Sequence, residues 1–145
     1  MAIDPVPKGY HTVTPYFLVE GAAKFIEFLE KAFDAKIVNK MARPDGAVMH
    51  ADLLIGDSHV MMGEANDEWP PLKNSIYLYL PVCDAFYDKA VAAGASTIYA
   101  PRTEFYGDRV AGIQDPFGNT WWISTHVEDV SEEEIHRRAM AAGRG

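Results

Sequence analysis

The spacing of hydrophobic and polar residues divides the chain into predicted strands and helices. Alternation predicts strands, whereas apolar residues three and four positions apart predict an amphipathic helix. The helical spacing is clearest at Phe25, Phe28, Leu29, Ala32 and Phe33, which lie on one helix face. Strands are predicted at 11–19, 36–41, 47–55, 59–64, 75–82, 96–100, 108–113 and 119–125, and helices at 22–35, 85–93 and 131–142.

The same element order occurs twice. A strand, a helix and three strands fill residues 11–64, a linker with two adjacent prolines fills 65–74, and the order returns in 75–126, before the tail helix at 131–142. A repeated order favours duplication of one structural unit. We therefore predict one domain over 1–145 with an α+β fold. Its two βαβββ modules form a curved, half-open barrel-like sheet with the helices outside and a concave face for a ligand.

Alternation along the strands assigns side chains to the concave face of this sheet. The assigned side chains combine aromatic rings, a thioether and a few polar groups, which is typical of a small-molecule pocket. The candidates for ligand binding are Thr14, Tyr16, Met62, Ser75, Tyr77, Tyr79, Arg109 and Trp122. The candidates for catalysis are His50, Asp52 and Glu64. The tail residue His126 is expected at the surface.

Composition narrows the class of protein. The 145 residues carry a formal net charge of −8, which disfavours nucleic acid as a partner. The single cysteine, Cys83, excludes an internal disulfide and is expected in the core. No apolar stretch approaches the ~20 residues that span a bilayer. The first residues lack the features of a signal peptide, so we expect a cytoplasmic protein that does not interact with membranes.

Four segments carry a family resemblance: residues 14–28, 50–58, 105–109 (Phe-Tyr-Gly-Asp-Arg) and 115–122 (Asp-Pro-Phe-Gly-Asn-Thr-Trp-Trp). They resemble the vicinal oxygen chelate superfamily, which includes glyoxalase I, bleomycin-resistance proteins and extradiol dioxygenases, and within it the PhnB-like branch. The resemblance implies the paired βαβββ fold and a homodimer.

The resemblance also implies where a metal would bind. Metal-dependent members place His, Glu or Gln at four positions, which correspond here to Thr14, Met62, Ser75 and Trp122. A thioether and an indole are poor ligands for a divalent metal that prefers imidazole or carboxylate. We therefore expect no metal and no other cofactor.

Two functions are considered, and whether the protein is an enzyme stays open. The first is a metal-free small-molecule binding protein in which Trp122, Tyr77 and Tyr79 stack on a planar or cationic ligand. The alternative is a lyase, isomerase or dioxygenase that uses His50, Asp52 or Glu64 as a base or displaced ligand set, with or without a divalent metal. Arg109 either clamps an anionic group or forms a local salt bridge.

Overall fold

The computed structural model describes residues 2–143, which form eight strands and three helices. The elements are β1 (Tyr16–Val19), α1 (Ala22–Phe33), β2 (Lys36–Ala42), β3 (Val48–Ile55), β4 (Ser58–Glu64), β5 (Ser75–Tyr79), α2 (Cys83–Ala92), β6 (Ser96–Thr103), β7 (Asp108–Gln114), β8 (Thr120–His126) and α3 (Glu132–Ala141). The chain divides into two compact units between Asn74 and Ser75. The predicted α+β fold of two βαβββ modules is confirmed.

The first unit is a four-stranded mixed sheet in the order β1-β4-β3-β2, with β1 parallel to β4 and the other pairs antiparallel. Its core lies between this sheet and the apolar face of α1. That face follows the predicted helical spacing, and Phe25, Leu29 and Phe33 are buried together with Phe17 and Leu53 of the sheet. Burial of these large side chains is the main stabilising contribution in this unit.

The second unit repeats the topology in the order β5-β8-β7-β6, again with one parallel pair, β5 with β8. Trp121, Ile123 and Ile113 are fully buried in its core. Cys83, at the start of α2, is buried as expected, and its thiol donates to the carbonyl oxygen of Ile123 at 3.2 Å. The shared strand order is what duplication predicts.

Several predicted boundaries are wrong near prolines. β1 begins at Tyr16 rather than at residue 11, because Pro15 has no N–H for a ladder bond; its carbonyl accepts from Met61 N at 2.9 Å. β5 ends at Tyr79, two residues before Pro81. Conversely, β6 continues to Thr103, which pairs with Arg109. No helix within residues 2–143 is both long enough and apolar enough to cross a membrane.

The turn between β7 and β8 is organised by the carboxylate of Asp115, which is 4% exposed. Its Oδ1 accepts from the backbone N–H groups of Phe117 at 2.8 Å and Asn119 at 2.9 Å. Its Oδ2 accepts from Asn119 Nδ2 at 3.0 Å and from Trp121 Nε1 at 2.8 Å. One acidic side chain therefore joins the turn to the buried indole of β8, which explains the Asp-Pro-Phe-Gly motif.

Candidate functional site

Each sheet has one face toward its helix and one face on the opposite side. The face opposite the helix is called the first open face in the first unit and the second open face in the second unit. Residues paired across neighbouring strands point to the same side, so register defines these faces. The first open face contains Tyr16, Leu18, His50, Asp52, His59, Met61 and Gly63. The second contains Ser75, Tyr77, Tyr79, Tyr99, Asp108, Val110, Gly112, Trp122, Ser124 and His126.

Asp52 is the buried acid of the first open face, and it is 2% exposed. It accepts a hydrogen bond from the hydroxyl of Tyr10 and lies 2.8 Å from Nδ1 of His59. The ring of Tyr10 stacks on His59 with centroids 3.9 Å apart. His50 lies instead beside Tyr16, with 3.3 Å between Nδ1 and the hydroxyl. The carboxylate of Asp52 therefore orients His59, and the proposed pairing with His50 is not formed.

A pocket of about 360 Å³ lies at the end of the first open face. Tyr16, Gly63 and Trp69 line it together with Met49. A Cβ at Gly63 would stand 2.7 Å from the Met49 carbonyl oxygen and 3.0 Å from the Tyr16 hydroxyl, so glycine permits this close packing. Asn66 Oδ1 accepts from the N–H of Trp69 at 2.8 Å and so holds the linker residue at the pocket.

Asp108 is the buried acid of the second open face, and it is 3% exposed. Its Oδ2 accepts from the hydroxyls of Tyr77 at 2.8 Å and Tyr79 at 3.0 Å. Its Oδ1 lies 2.9 Å from Nδ1 of His126, whose Nε2 lies 2.7 Å from Asp129 Oδ1. Burial alone would raise the pKa of Asp108, but hydrogen bonds from His126 and the two tyrosines outweigh it and lower that pKa.

The same hydrogen bonds shift the pKa values of the side chains bound to Asp108. The pKa of His126 is raised, first by its hydrogen bond to Asp108 and then by its hydrogen bond to Asp129. Burial is the largest cause of the raised pKa of Tyr77, to which hydrogen bonds with Asp108 and Tyr106 add. Burial and the bond to Asp108 likewise raise the pKa of Tyr79. The tyrosines are therefore neutral donors, and the imidazole favours its charged form.

Aromatic rings continue along the second open face beyond the acid. Trp122 Nε1 donates to Ser75 Oγ at 3.0 Å, and its ring lies 5.9 Å from that of Tyr99. The guanidinium of Arg102 lies over the Tyr99 ring, 3.8 Å from its centroid. Gly112 lies under the indole; a Cβ there would stand 2.9 Å from the Trp122 ring. The indole of Trp122 is therefore held by the hydrogen bond of its nitrogen to Ser75 and by the close approach of Gly112 to its ring.

Met62 is not on the open face, and its prediction there is wrong, whereas Glu64 lines the pocket with a carboxylate turned to the start of α1. Met62 pairs with Ala51 and is fully buried on the α1 side of the sheet. The carboxylate of Glu64 accepts from the backbone N–H groups of Gly21 at 2.8 Å and Ala22 at 3.0 Å. It caps the start of α1, where a negative charge is stabilised by the helix dipole. Its carboxylate is therefore committed to a structural role.

Arg109 is also misplaced by the prediction. It faces α2, where Nε and a terminal nitrogen bind the two oxygens of Asp84 at 2.7 and 2.9 Å. Of the two alternatives for Arg109, the structure therefore has the local salt bridge, with Asp84 as its partner, and not the ligand clamp. Thr14 precedes β1 and is not part of the sheet. Of the predicted residues, the structure brings together Ser75 with Trp122, Tyr77 with Tyr79, and Tyr16 with His50.

The residues at the four positions that the resemblance assigns to a metal do not suit a divalent cation. Met62 is buried behind the sheet, and the indole nitrogen of Trp122 is a donor bound to Ser75. Thr14 and Ser75 offer neutral hydroxyls, which are weak ligands for zinc or iron. Within residues 2–143, no three His, Cys, Asp or Glu side chains are arranged as ligands for a metal ion.

Sequence reasoning missed the residues that organise the second open face: Asp108, His126, Asp129, Tyr106 and Tyr99. His126 is exposed, as expected, but it also alternates with Ser124 and Trp122 along β8, which the prediction did not use. Carrying that alternation two residues further would have placed it on the aromatic side. The contribution of Asp129 comes from beyond the last strand, and no strand pattern marks it.

The family model for the glyoxalase/bleomycin resistance protein/dioxygenase superfamily matches residues 10–123. The chain belongs to this superfamily. The resemblance inferred from the sequence motifs is thereby confirmed at the level of the superfamily. The matched range contains both sheets up to the middle of β8 and leaves the tail helix outside.

Similar proteins include an uncharacterized protein of Mycobacterium bovis, 31% identical over 159 residues that cover 100% of both chains. Among solved structures, TioX from Micromonospora sp. ML1 has a TM-score of 0.68 at 18% identity, covering 81% of this superfamily member and 98% of TioX. The fosfomycin resistance protein FosX from Mesorhizobium loti has a TM-score of 0.60 at 19% identity, covering 86% and 95%. At these identities the structures share the fold.

Proposed function

We propose that this superfamily member binds a small planar aromatic molecule on its second open face, without a divalent metal. The observation that carries the proposal is the run of four neighbouring rings there, Tyr77, Tyr79, Tyr99 and Trp122, here called the aromatic face. Stacking on such rings contributes about 0.5–1.5 kcal/mol per pair beyond the burial of apolar area.

The rings of the aromatic face are held in place before any ligand arrives. Three have their polar atoms bound within the unit: Tyr77 and Tyr79 to Asp108, and Trp122 to Ser75. The rings of Tyr77 and Tyr79 lie 5.3 Å apart. Both are partly exposed, at 42% and 65%. A ligand therefore finds fixed apolar surface and pays little side-chain entropy on binding.

The geometry favours binding over the enzymatic alternative. His50, Asp52 and Glu64 do not converge: Glu64 caps α1, and Asp52 is bound by Tyr10 and His59. The metal positions offer an indole donor and two hydroxyls. A lyase or isomerase needs a general base with a free acceptor atom at the substrate, and the carboxylates of Asp52 and Glu64 are already occupied by donors of the first unit.

Calorimetric titration with acridine, a planar ring system that is uncharged in mildly alkaline buffer, tests the proposal. We expect saturable binding that survives dialysis against a chelator. Trp122→Leu should weaken it about tenfold, since one lost stacking pair is roughly 1.4 kcal/mol. Trp69→Leu, which removes an exposed indole from the first unit, is the matched control. Equal affinity in wild type and Trp122→Leu, or binding that requires added zinc, would contradict the proposal.

The homodimer and the PhnB-like branch, which the resemblance implies, stay predictions, and so does the cytoplasmic location expected from the sequence. Size-exclusion chromatography with light scattering measures the mass of the particle directly. A mass of twice the 16.1 kDa chain is expected, and a mass of one chain would refute the dimer.

A further inference from the structure

We propose that a cavity at the tail end of the second unit binds a small organic ammonium ion, in exchange for the proton that His126 holds between Asp108 and Asp129. The cavity has a volume of about 490 Å³. His126, Asp129, Val130 and Ile135 line it and lie beyond residue 123, where the family match ends. The tail therefore supplies one part of the wall, and Tyr79, Tyr106 and Asp108 supply the rest.

The geometry of His126 shows that the cluster is built around a cation. A neutral imidazole has one N–H and can donate to one acceptor. In this structure both ring nitrogens face carboxylates, at 2.9 Å from Asp108 and 2.7 Å from Asp129. Only the imidazolium donates to both. Loss of the proton leaves two carboxylates beside the cavity with no positive charge between them, and an incoming cation can replace it.

The walls of the cavity suit the organic part of such a cation. Tyr79 and Tyr106 present rings, and Val130 and Ile135 present aliphatic surface. Cations bind over tyrosine rings within about 6 Å, with an energy that grows on desolvation. The Asp129 side chain is 100% exposed, so its ion pair with His126 is weak and yields readily to a ligand.

The tail segment that carries Asp129 is fastened on both sides. The N–H groups of Val127 and Glu128 donate to the carbonyl oxygen of Gly107 at 2.9 and 3.1 Å. A Cβ at Gly107 would stand 2.2 Å from the Glu128 carbonyl oxygen, so glycine is required for this contact. Arg138 of α3 donates to Glu128 at 2.8 Å and to the Phe105 carbonyl at 3.1 Å. The cavity wall is therefore a fixed part of the fold.

Exchange of a proton for the ligand makes binding depend on pH. The titratable groups that face His126 are Asp108 of β7, Asp129 of the tail segment, Tyr79 of β5 and Tyr106 of the turn before β7. Helix α3 contributes Ile135 and its N-cap residue Ser131, which do not titrate. Among these side chains, the imidazole is the one whose ordinary pKa lies near neutral, so the imidazole decides the response. Below its pKa, affinity should fall about tenfold for each pH unit.

The test uses choline, whose charge does not change with pH, and its uncharged carbon isostere 3,3-dimethylbutan-1-ol. Binding is followed by NMR shifts of the amides of Tyr106 and Asp129. We expect choline to bind at least about tenfold more tightly than the isostere, and more tightly as pH rises. His126→Gln should abolish the pH dependence, because it removes the competing cation.

Asp129→Asn should weaken choline binding, whereas Asp88→Asn, on an exposed position of α2, makes the same change in net charge and should leave it intact. Absent choline binding, equal binding of the isostere, a flat pH response in the wild type, or equal effects of the two Asn variants would each overturn the proposal. Acridine binding is measured in the same samples. It shows that each variant is folded, and it tests the planar ligand of the aromatic face separately, although both sites include Tyr79.

Discussion

Replacement of Asp115 by Ala is the sharpest test of how the second unit is held together. The carboxylate accepts four hydrogen bonds within the β7–β8 turn and from the indole of Trp121. Alanine removes all four acceptor contacts while leaving the donors in place. Because Asn119 and Trp121 are fully buried, water does not readily replace the lost partner.

The size of the expected loss in the free energy of unfolding follows from how deeply each hydrogen-bond donor is buried. Hydrogen bonds to a charged group contribute about 1.5–3 kcal/mol each, but neighbouring bonds are not additive. The N–H of Phe117 is half-buried, so we count it as largely recovered by water. The buried donors of Asn119 and Trp121 cost about 1–3 kcal/mol each when deprived of their partner. We therefore expect Asp115→Ala to lower the free energy of unfolding by about 3–5 kcal/mol, or roughly 10 °C in Tm.

Urea unfolding, followed by tryptophan fluorescence and circular dichroism, measures this loss. Asp57→Ala is the matched control: Asp57 occupies the corresponding turn of the first unit, but it is exposed and its carboxylate accepts from the hydroxyl of Ser58 at 2.9 Å. It should change stability by less than about 0.5 kcal/mol. Asp115→Asn keeps the shape but turns an amide N–H₂ toward donors, so it should lose most of the same energy. A loss below about 1 kcal/mol in Asp115→Ala would refute the reasoning.

Three further outcomes are expected. Arg109→Ala should barely shift the urea midpoint and leave acridine binding unchanged, because its pair with Asp84 is exposed and faces α2. Gly63→Ala should lower the free energy of unfolding by about 1–3 kcal/mol, since the new Cβ stands 2.7 Å from a carbonyl oxygen of β3. NMR titration should find the pKa of His126 above its ordinary value, and Asp129→Asn should lower it. Because folding raises this pKa, the contribution to stability is complete below the unfolded-state pKa and is lost as pH rises through the folded-state pKa.

The order of elements was predictable because each element carries its own periodic signal. The apolar spacing of α1 reflects local geometry, and the helix predicted from it ends within two residues of the observed helix. The repeat of that order predicted the two matching sheets. Local patterns failed where the cause is distant in the chain. Glu64 caps a helix that begins about forty residues earlier, and no feature around Glu64 marks that partnership.

The site was harder to predict because its carboxylates work through partners on other elements. Asp52 is bound by Tyr10 from the segment before β1, and Asp108 by tyrosines of β5 and a histidine of β8. Alternation states which side of a strand a residue lies on. It does not state what lies opposite, and the partners of both acids come from strands or loops far away in sequence.

One physical rule would have recovered most of the misplaced residues. Antiparallel strands joined by a tight turn share faces, so a face assigned on one strand fixes the face on the next. The turn after β3 pairs Ile55 with Ser58, and counting back places Met62 opposite Ala51, on the core side. The turn after β7 pairs Gln114 with Thr120.

Counting from that second turn places Asp108 opposite His126 and Arg109 opposite Thr125. The acid and the imidazole therefore share the open face, and the arginine lies on the helix side. Turn signals were visible in both places, as Gly56-Asp57 and Asp115-Pro116-Phe117-Gly118. Alternation within a single strand left the face of each residue ambiguous. Following the strand register across the turns would have decided which face it lies on. Asp129 would have stayed hidden, since it follows the last strand and reaches His126 only through the fold of the tail.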